Sequence, residues 1–234
     1  MPTARLVSLP ATDRGSATKP KRQPHGSKRI TMRQATNIME AVRFAKSVGL
    51  PLVAHLTIHW SLTDAGDDPH GTLFAKLREG LDKWLHRHGI AFAAVWARER
   101  QASGQSEVVH CHLLFHLPVD YRTKKLPQVE ATISRLINRH GRGISDERVI
   151  KLVIHQNPDG KYLVKGGGPK IWKKFGLRKE HRRLQGFIYG KRCGTTENIG
   201  PAARKRWRKR RDGSTNAEAL AEWVNHSPYG LPHP

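Results

Sequence analysis

Residues 108–118 constrain the fold of this chain more than any other stretch. Val108, Val109, Cys111, Leu113, Leu114, Phe115 and Leu117 make a strand-like apolar run, with imidazoles set into it at His110, His112 and His116. Side chains of a strand alternate between two faces, so His110, His112, Leu114 and His116 share one face and Cys111, Leu113, Phe115 and Leu117 the other. One face belongs in a core, and the other can present ligands to a metal ion. With 14 histidines in 234 residues, chance alone supplies about one His-x-His pair. His86 and His88 have the same spacing but close a helical pattern, where residues two apart do not face each other. Taken by itself, the strand-borne pair is explained equally well by ordinary sheet histidines.

Around this strand the periodicities change in a regular order. Thr31 and Gln34 have the form of a capping box, and Ile38, Met39, Val42, Ala45 and Val48 keep helical spacing until Gly49 and Pro51 stop it. Residues 53–60 read as a strand, with His55, Thr57 and His59 on one side and Leu56, Ile58 and Trp60 on the other. Leu73, Phe74, Leu77, Leu81, Trp84 and Leu85 mark a second helix ending at Gly89, and residues 90–99 a second strand. Leu126, Val129, Ile133, Leu136 and Ile137 mark a helix closing at Gly141, residues 149–155 a fourth strand, and Asn157 to Gly160 a turn. From residue 53 the order is strand, helix, strand, strand, helix, strand. This predicts an α+β, ferredoxin-like antiparallel sheet with helices on one face and an open face carrying the site. If the His-bearing strands are neighbours, His55, Thr57 and His59 lie beside His110 and His112.

Charge supplies the partner. The formal net charge of +23 is extreme for a domain of this size and points to a polyanion, nucleic acid first. Residues 161–211 hold 18 Lys or Arg against Glu180 and Glu197, whereas residues 30–160 hold 17 against 13 acids. The excess therefore flanks a nearly neutral domain. Lys170, Trp172, Lys173 and Lys174, and then Arg204, Arg206, Trp207 and Arg208, interleave cations with aromatic rings, a combination suited to unpaired nucleotides. A solvated basic surface is the plainer reading of the same residues. Three parts are expected: a disordered basic arm over 1–30, a catalytic domain over 31–170, and a basic nucleic-acid-binding extension and tail over 171–234, with a last short helix at 217–224. Two cysteines, Cys111 and Cys193, are too few for a disulfide scaffold, and no apolar run is long enough for a membrane span. A cytoplasmic protein is expected.

In this order the residues resemble the HUH single-strand endonucleases, a family of rolling-circle replication initiators, relaxases and single-tyrosine transposases. His110, Cys111 and His112 resemble its paired histidines around a hydrophobic residue, although Cys111 is smaller than usual. Leu56 to Trp60 looks like its first motif, and Tyr162, Leu163, Val164 and Lys165 look like its third. The resemblance spans roughly residues 31–170. It implies a Mg²⁺ or Mn²⁺ ion on His110 and His112, with Tyr162 as nucleophile and Lys165 beside the phosphate. Glu99 is the expected third ligand because these ions prefer oxygen donors, with Glu107 and His116 in reserve. An ion pair of Glu99 with Arg98 or Arg100 is the alternative. Tyr189 and Tyr121 are rival nucleophiles, and the glycines at 166–168 would stop the Tyr162 helix earlier than in the family. Thr57 and His59 are expected to touch the nucleic acid. The implied reaction is nicking through a 5′-phosphotyrosine link, for replication initiation or mobilisation of a plasmid-like element. Its partners would be single-stranded DNA or an origin hairpin, and a host helicase. A non-catalytic basic DNA- or RNA-binding protein is the alternative.

Overall fold

The computed structural model describes residues 25–100, 109–144, 146–182 and 185–211. The expected arm over 1–24, Glu107 and the helix at 217–224 lie outside the described residues. Five strands make one antiparallel sheet in the order β5 (Ile150–Ile154), β2 (Leu52–His59), β4 (Val109–His116), β3 (Ala94–Arg100) and β7 (Cys193–Thr195). β4 is the centre, and all eight of its residues are buried, as its apolar run requires.

Helices α2 (Thr72–Arg87) and α4 (Leu126–Gly141) pack side by side on one face, over Leu56, Ile58, Trp96, Cys111, Leu113 and Phe115. Their apolar residues recur every three or four positions, so each buries a single stripe. Gly80 of α2 leaves the space that Leu136 of α4 fills, since a Cβ there would lie 2.6 Å from Leu136 Cδ2.

The second face is not bare, which amends the expectation of helices on one side only. Helix α1 (Met32–Ser47) is closed at its start by the expected Thr31 and Gln34 capping box, and its apolar stripe packs over Val95, Ala97, Leu114 and Cys193. That stripe needs a surface as much as α2 and α4 do, and the β3 and β7 end of the sheet provides it. Over β2 and β4 the same face receives the turn that carries Tyr162, and a cavity lies between them.

Two segments of the basic region join this core. β7 is the fifth strand of the sheet. Helix α6 (Pro201–Arg211) lies on α1, with Trp207 edge-on to Phe44 at 6.1 Å and the Arg204 guanidinium bonded to Ile199 O and Asn37 Oδ1, both at 2.7 Å. Residues 25–30, expected in the arm, are also tied down: β1 (Gly26–Ser27) pairs with β6 (Ile188–Tyr189), and Ile30 N donates to Gly166 O at 3.1 Å. A five-residue helix α3 (Val119–Thr123) and the short α5 (Pro169–Phe175) complete the framework.

Candidate metal centre and the tyrosine beside it

Strand register builds the centre. On the face that α1 shares, His110 of β4 is paired with His59 of β2 and Glu99 of β3, and His112 with Thr57 and Ala97. Glu99 and His110 thus come from adjacent strands at one level, and His112 follows two residues further along. Glu99 Oε2 lies 3.2 Å from His110 Nε2 and 3.3 Å from His112 Nε2. One donor atom from each of the three fits within 4.8 Å of the others, and all three residues are buried.

The alternative reading of Glu99 fails because strand alternation sends its neighbours elsewhere. Arg98 points to the opposite face and donates to the carbonyls of Asp68, Pro69 and Tyr189, while Arg100 pairs with Asp67. Glu99, 1% exposed, has instead the ammonium of Lys165 at 2.8 Å. Burial would raise the Glu99 carboxyl, but hydrogen bonds from His110 and His112 and the charge of Lys165 win and hold it well below the usual carboxylate range. At neutral pH it is an anion.

The donor set fits a divalent ion in three respects. A carboxylate and two imidazoles leave other coordination positions for substrate oxygens. Glu99 Oε1 is buried with no hydrogen-bond partner, an acceptor that a cation would satisfy. The Thr57 hydroxyl lies 3.0 Å from His112 Nδ1 and fixes the ring, and a ring proton held on that side would free Nε2 for an ion in place of its hydrogen bond to Glu99. Thr57, expected to touch nucleic acid, lines the cavity beside His112. Burial pushes His112 down to about 4 against the pull of Glu99, so it is neutral and able to ligate at physiological pH.

Tyr162 is brought to this centre by a single 3₁₀ turn, Lys161–Val164, entered through Gly160 at φ +75°. Its ring centroid lies 4.9 Å from that of His112, and Lys165 Nζ sits 3.6 Å from the centre of the Tyr162 ring. A cavity of about 890 Å³ opens between these groups, lined also by Lys151, His155, Asn157 and Gln185. Lys165 is held from behind, its carbonyl accepting from Trp172 Nε1 at 2.9 Å.

The other candidates separate cleanly. Tyr121 is buried against Trp84 and His88. Tyr189 stacks with His70 and Phe187, outside the cavity lining. His116 gives its Nδ1 to the Pro51 carbonyl at 3.0 Å, remote from Glu99 along the strand. His59 lines the cavity, stacked on His110 at 5.4 Å. Lys170, Lys173 and Lys174 are exposed on α5, and Lys205, Arg206, Arg208 and Lys209 on α6. Trp172, Arg204 and Trp207 were expected at a nucleic-acid surface, yet the structure spends them on packing: each is at least partly buried and its polar or ring contacts are made within the chain. Gly166 and Gly167 are buried between Ile30, Gln185 and Ile171.

Sequence reasoning placed His55 on this face but left out two further imidazoles, His155 and His181, near Tyr162. His55 lies 5.4 Å from its ring, His181 5.9 Å, and His155 is 5.6 Å from His55. Burial, then the neighbouring His112 and His155, lower His55 to about 3, and its Nε2 has no partner. Strand alternation placed His55 on this face. Nothing in the sequence placed the Tyr162 turn over it.

Comparison with protein families, with curated proteins and with solved structures finds no match to this chain. No helix among the described residues is long and apolar enough to cross a membrane.

Proposed function

We propose that this chain is a metal-dependent endonuclease of the HUH type, which nicks and rejoins single-stranded DNA through Tyr162 in replication initiation or mobilisation of a plasmid-like element. One observation carries the reading: a partly exposed tyrosine, a buried lysine, two histidines and a carboxylate, drawn from three separate parts of the chain, converge on one cavity. The order β2, α2, β3, β4, α4, β5 with sheet order β5-β2-β4-β3 supports the ferredoxin-like form of the domain. In this reading residues 31–170 carry the chemistry, and the basic segment 171–234 holds flanking DNA in a cytoplasmic protein that works with a host helicase.

His110, His112 and Glu99 would hold Mg²⁺ or Mn²⁺, which when bound polarises phosphate oxygens and offsets their developing charge. The rest is done by side chains. Lys165 neutralises a non-bridging oxygen and, lying against the Tyr162 ring, favours the phenolate. Tyr162 Oη bonds to phosphorus, the bond to the 3′-oxygen breaks, and the 5′-phosphate stays on the tyrosine. The phenol gives up one proton and the departing 3′-oxygen gains one, so the step is a transesterification that runs backwards to rejoin the strand.

The test is a covalent adduct. Incubation with single-stranded origin-type DNA and Mn²⁺ should give a protein–DNA species that survives boiling in detergent, is lost with a chelator and is absent in Tyr162→Phe. Adduct formed by that variant moves the nucleophile elsewhere, and no adduct under any condition overturns the reading. A non-catalytic DNA- or RNA-binding protein is the second reading. Its support is the Lys165 ammonium, which already satisfies Glu99 Oε2 at 2.8 Å and lies 3.4 Å from His112 Nε2.

A further inference from the structure

The segment bearing Tyr189 begins at the cavity and leaves it. Gln185 lines the cavity and accepts from Arg100 N at 3.2 Å, and Phe187 and Tyr189 follow, 37% and 39% exposed. Their rings meet edge to face with centroids 4.9 Å apart, and the His70 ring lies 5.3 Å from Tyr189. Exposed rings this close in a hydrophilic, basic chain are costly to leave wetted.

The array is built rigidly. Arg98, 2% exposed, donates Nη1 to the Tyr189 carbonyl and Nη2 to those of Asp68 and Pro69, each at 2.8 Å. One buried guanidinium therefore fixes both the strand carrying Tyr189 and the loop carrying His70. Gly186 N donates to Arg100 O and Gly190 N to His25 O, at 2.8 and 2.7 Å. A Cβ at Gly26 would overlap the Phe187 ring, so the bare glycine backbone seats that ring. Lys28, Arg29 and Lys191 are exposed on the segments that flank it.

We propose that Phe187, Tyr189 and His70 form a stacking platform for the unpaired bases of single-stranded DNA adjoining the cavity, with Lys28, Arg29 and Lys191 along its phosphates. The course of the strand from Tyr162 to the platform rests on the nuclease reading. Stacking itself does not. Aromatic faces bordered by ammonium and guanidinium groups match a ligand that alternates rings with phosphates. Bases in a duplex already stack on each other and cannot use the platform, and an apolar protein partner would not require the cations. The pinned backbone lowers the ordering cost of binding.

The test measures binding by fluorescence anisotropy at fixed salt with a chelator present, so that no cleavage intervenes, using a labelled single-stranded DNA and a blunt duplex of equal length. Phe187→Leu with Tyr189→Leu should weaken single-strand binding at least ten-fold, about one base–ring stack or more, and leave duplex binding within two-fold. Tyr189→Trp, which keeps a ring, should retain wild-type affinity, and 2-aminopurine in the bound strand should change fluorescence only with the wild type and this variant. Unaltered single-strand affinity in a double variant with wild-type thermal melting overturns the platform, as does equal loss for both DNAs. If single-stranded RNA binds as tightly as DNA and is equally weakened, the platform stands and its restriction to DNA falls. Failure of the nuclease reading shows separately, as absence of any adduct on Tyr162, and leaves these binding outcomes untouched.

Discussion

Lys165 is the residue on which the two readings of the centre divide. Its ammonium shares Glu99 and His112 with any metal they would hold, so lysine and ion compete for one focus of negative charge. Lys165→Met leaves a buried carboxylate without its full cation, and breaking a buried pair costs about 3–5 kcal/mol. The metal-free variant should therefore unfold at a markedly lower urea concentration. Millimolar Mn²⁺ should restore most of the loss, and calorimetry should show it binding more tightly to the variant than to the wild type. A loss that Mn²⁺ leaves unchanged argues for a purely structural ion cluster. The residues of this centre were legible because alternation along a strand is local: His110, His112 and Glu99 need only a two-residue period and adjacent strands. The packing roles of Trp172 and Arg204 were not legible for the converse reason. Their sequence neighbours are cations, but what decides their role is the Lys165 carbonyl seven residues away and Asn37 on another helix.

At the level of elements, the 3₁₀ turn Lys161–Val164 is the short helical segment that the glycines at 166–168 predict. Gly160 sets its direction, with φ +75° and a position where a Cβ would lie 2.8 Å from Val42 Cγ2 of α1. An L-residue held in that left-handed conformation costs about 1–2 kcal/mol. Gly160→Ala should lower stability by about that amount, and it should cut the rate of Tyr162 adduct formation ten-fold or more by moving the turn. If the variant is destabilised while the adduct rate stays at wild type, the turn does not aim the tyrosine. Helices α1, α2 and α4 were readable from their single apolar stripes. The place of α1 over β3 and β7 was not, because a stripe says that a helix buries one side and not which surface receives it. β7 escaped notice because three residues, Cys193, Gly194 and Thr195, carry too short a pattern, and their strand exists only through pairing with β3.

The whole molecule gathers imidazoles where water is scarce, and its stability should follow their titration. Burial lowers His55 to about 3 and His112 to about 4, and holds His59 and His116 below their ordinary value. The unfolded chain therefore takes up protons first, and the folded state loses ground as pH falls through about 6.5. Above that value these histidines contribute nothing to the pH dependence. Glu99 acts oppositely in origin, since its depressed pKa adds stability above about pH 4.5 that is lost below it. The urea midpoint of the metal-free chain should be level from pH 8 to 7, decline from 6.5 to 4.5, and drop more steeply beneath. A midpoint that climbs between pH 7 and 5 is incompatible with these burials. The position of Cys111, between the two histidines in sequence but on the far side of the sheet, has a last consequence. Burial pushes its thiol up to about 12 and that of Cys193 to about 11, so neither is a thiolate in neutral water. The group of Glu99, His110 and His112 offers only nitrogen and oxygen donors, and neither buried thiol belongs to it.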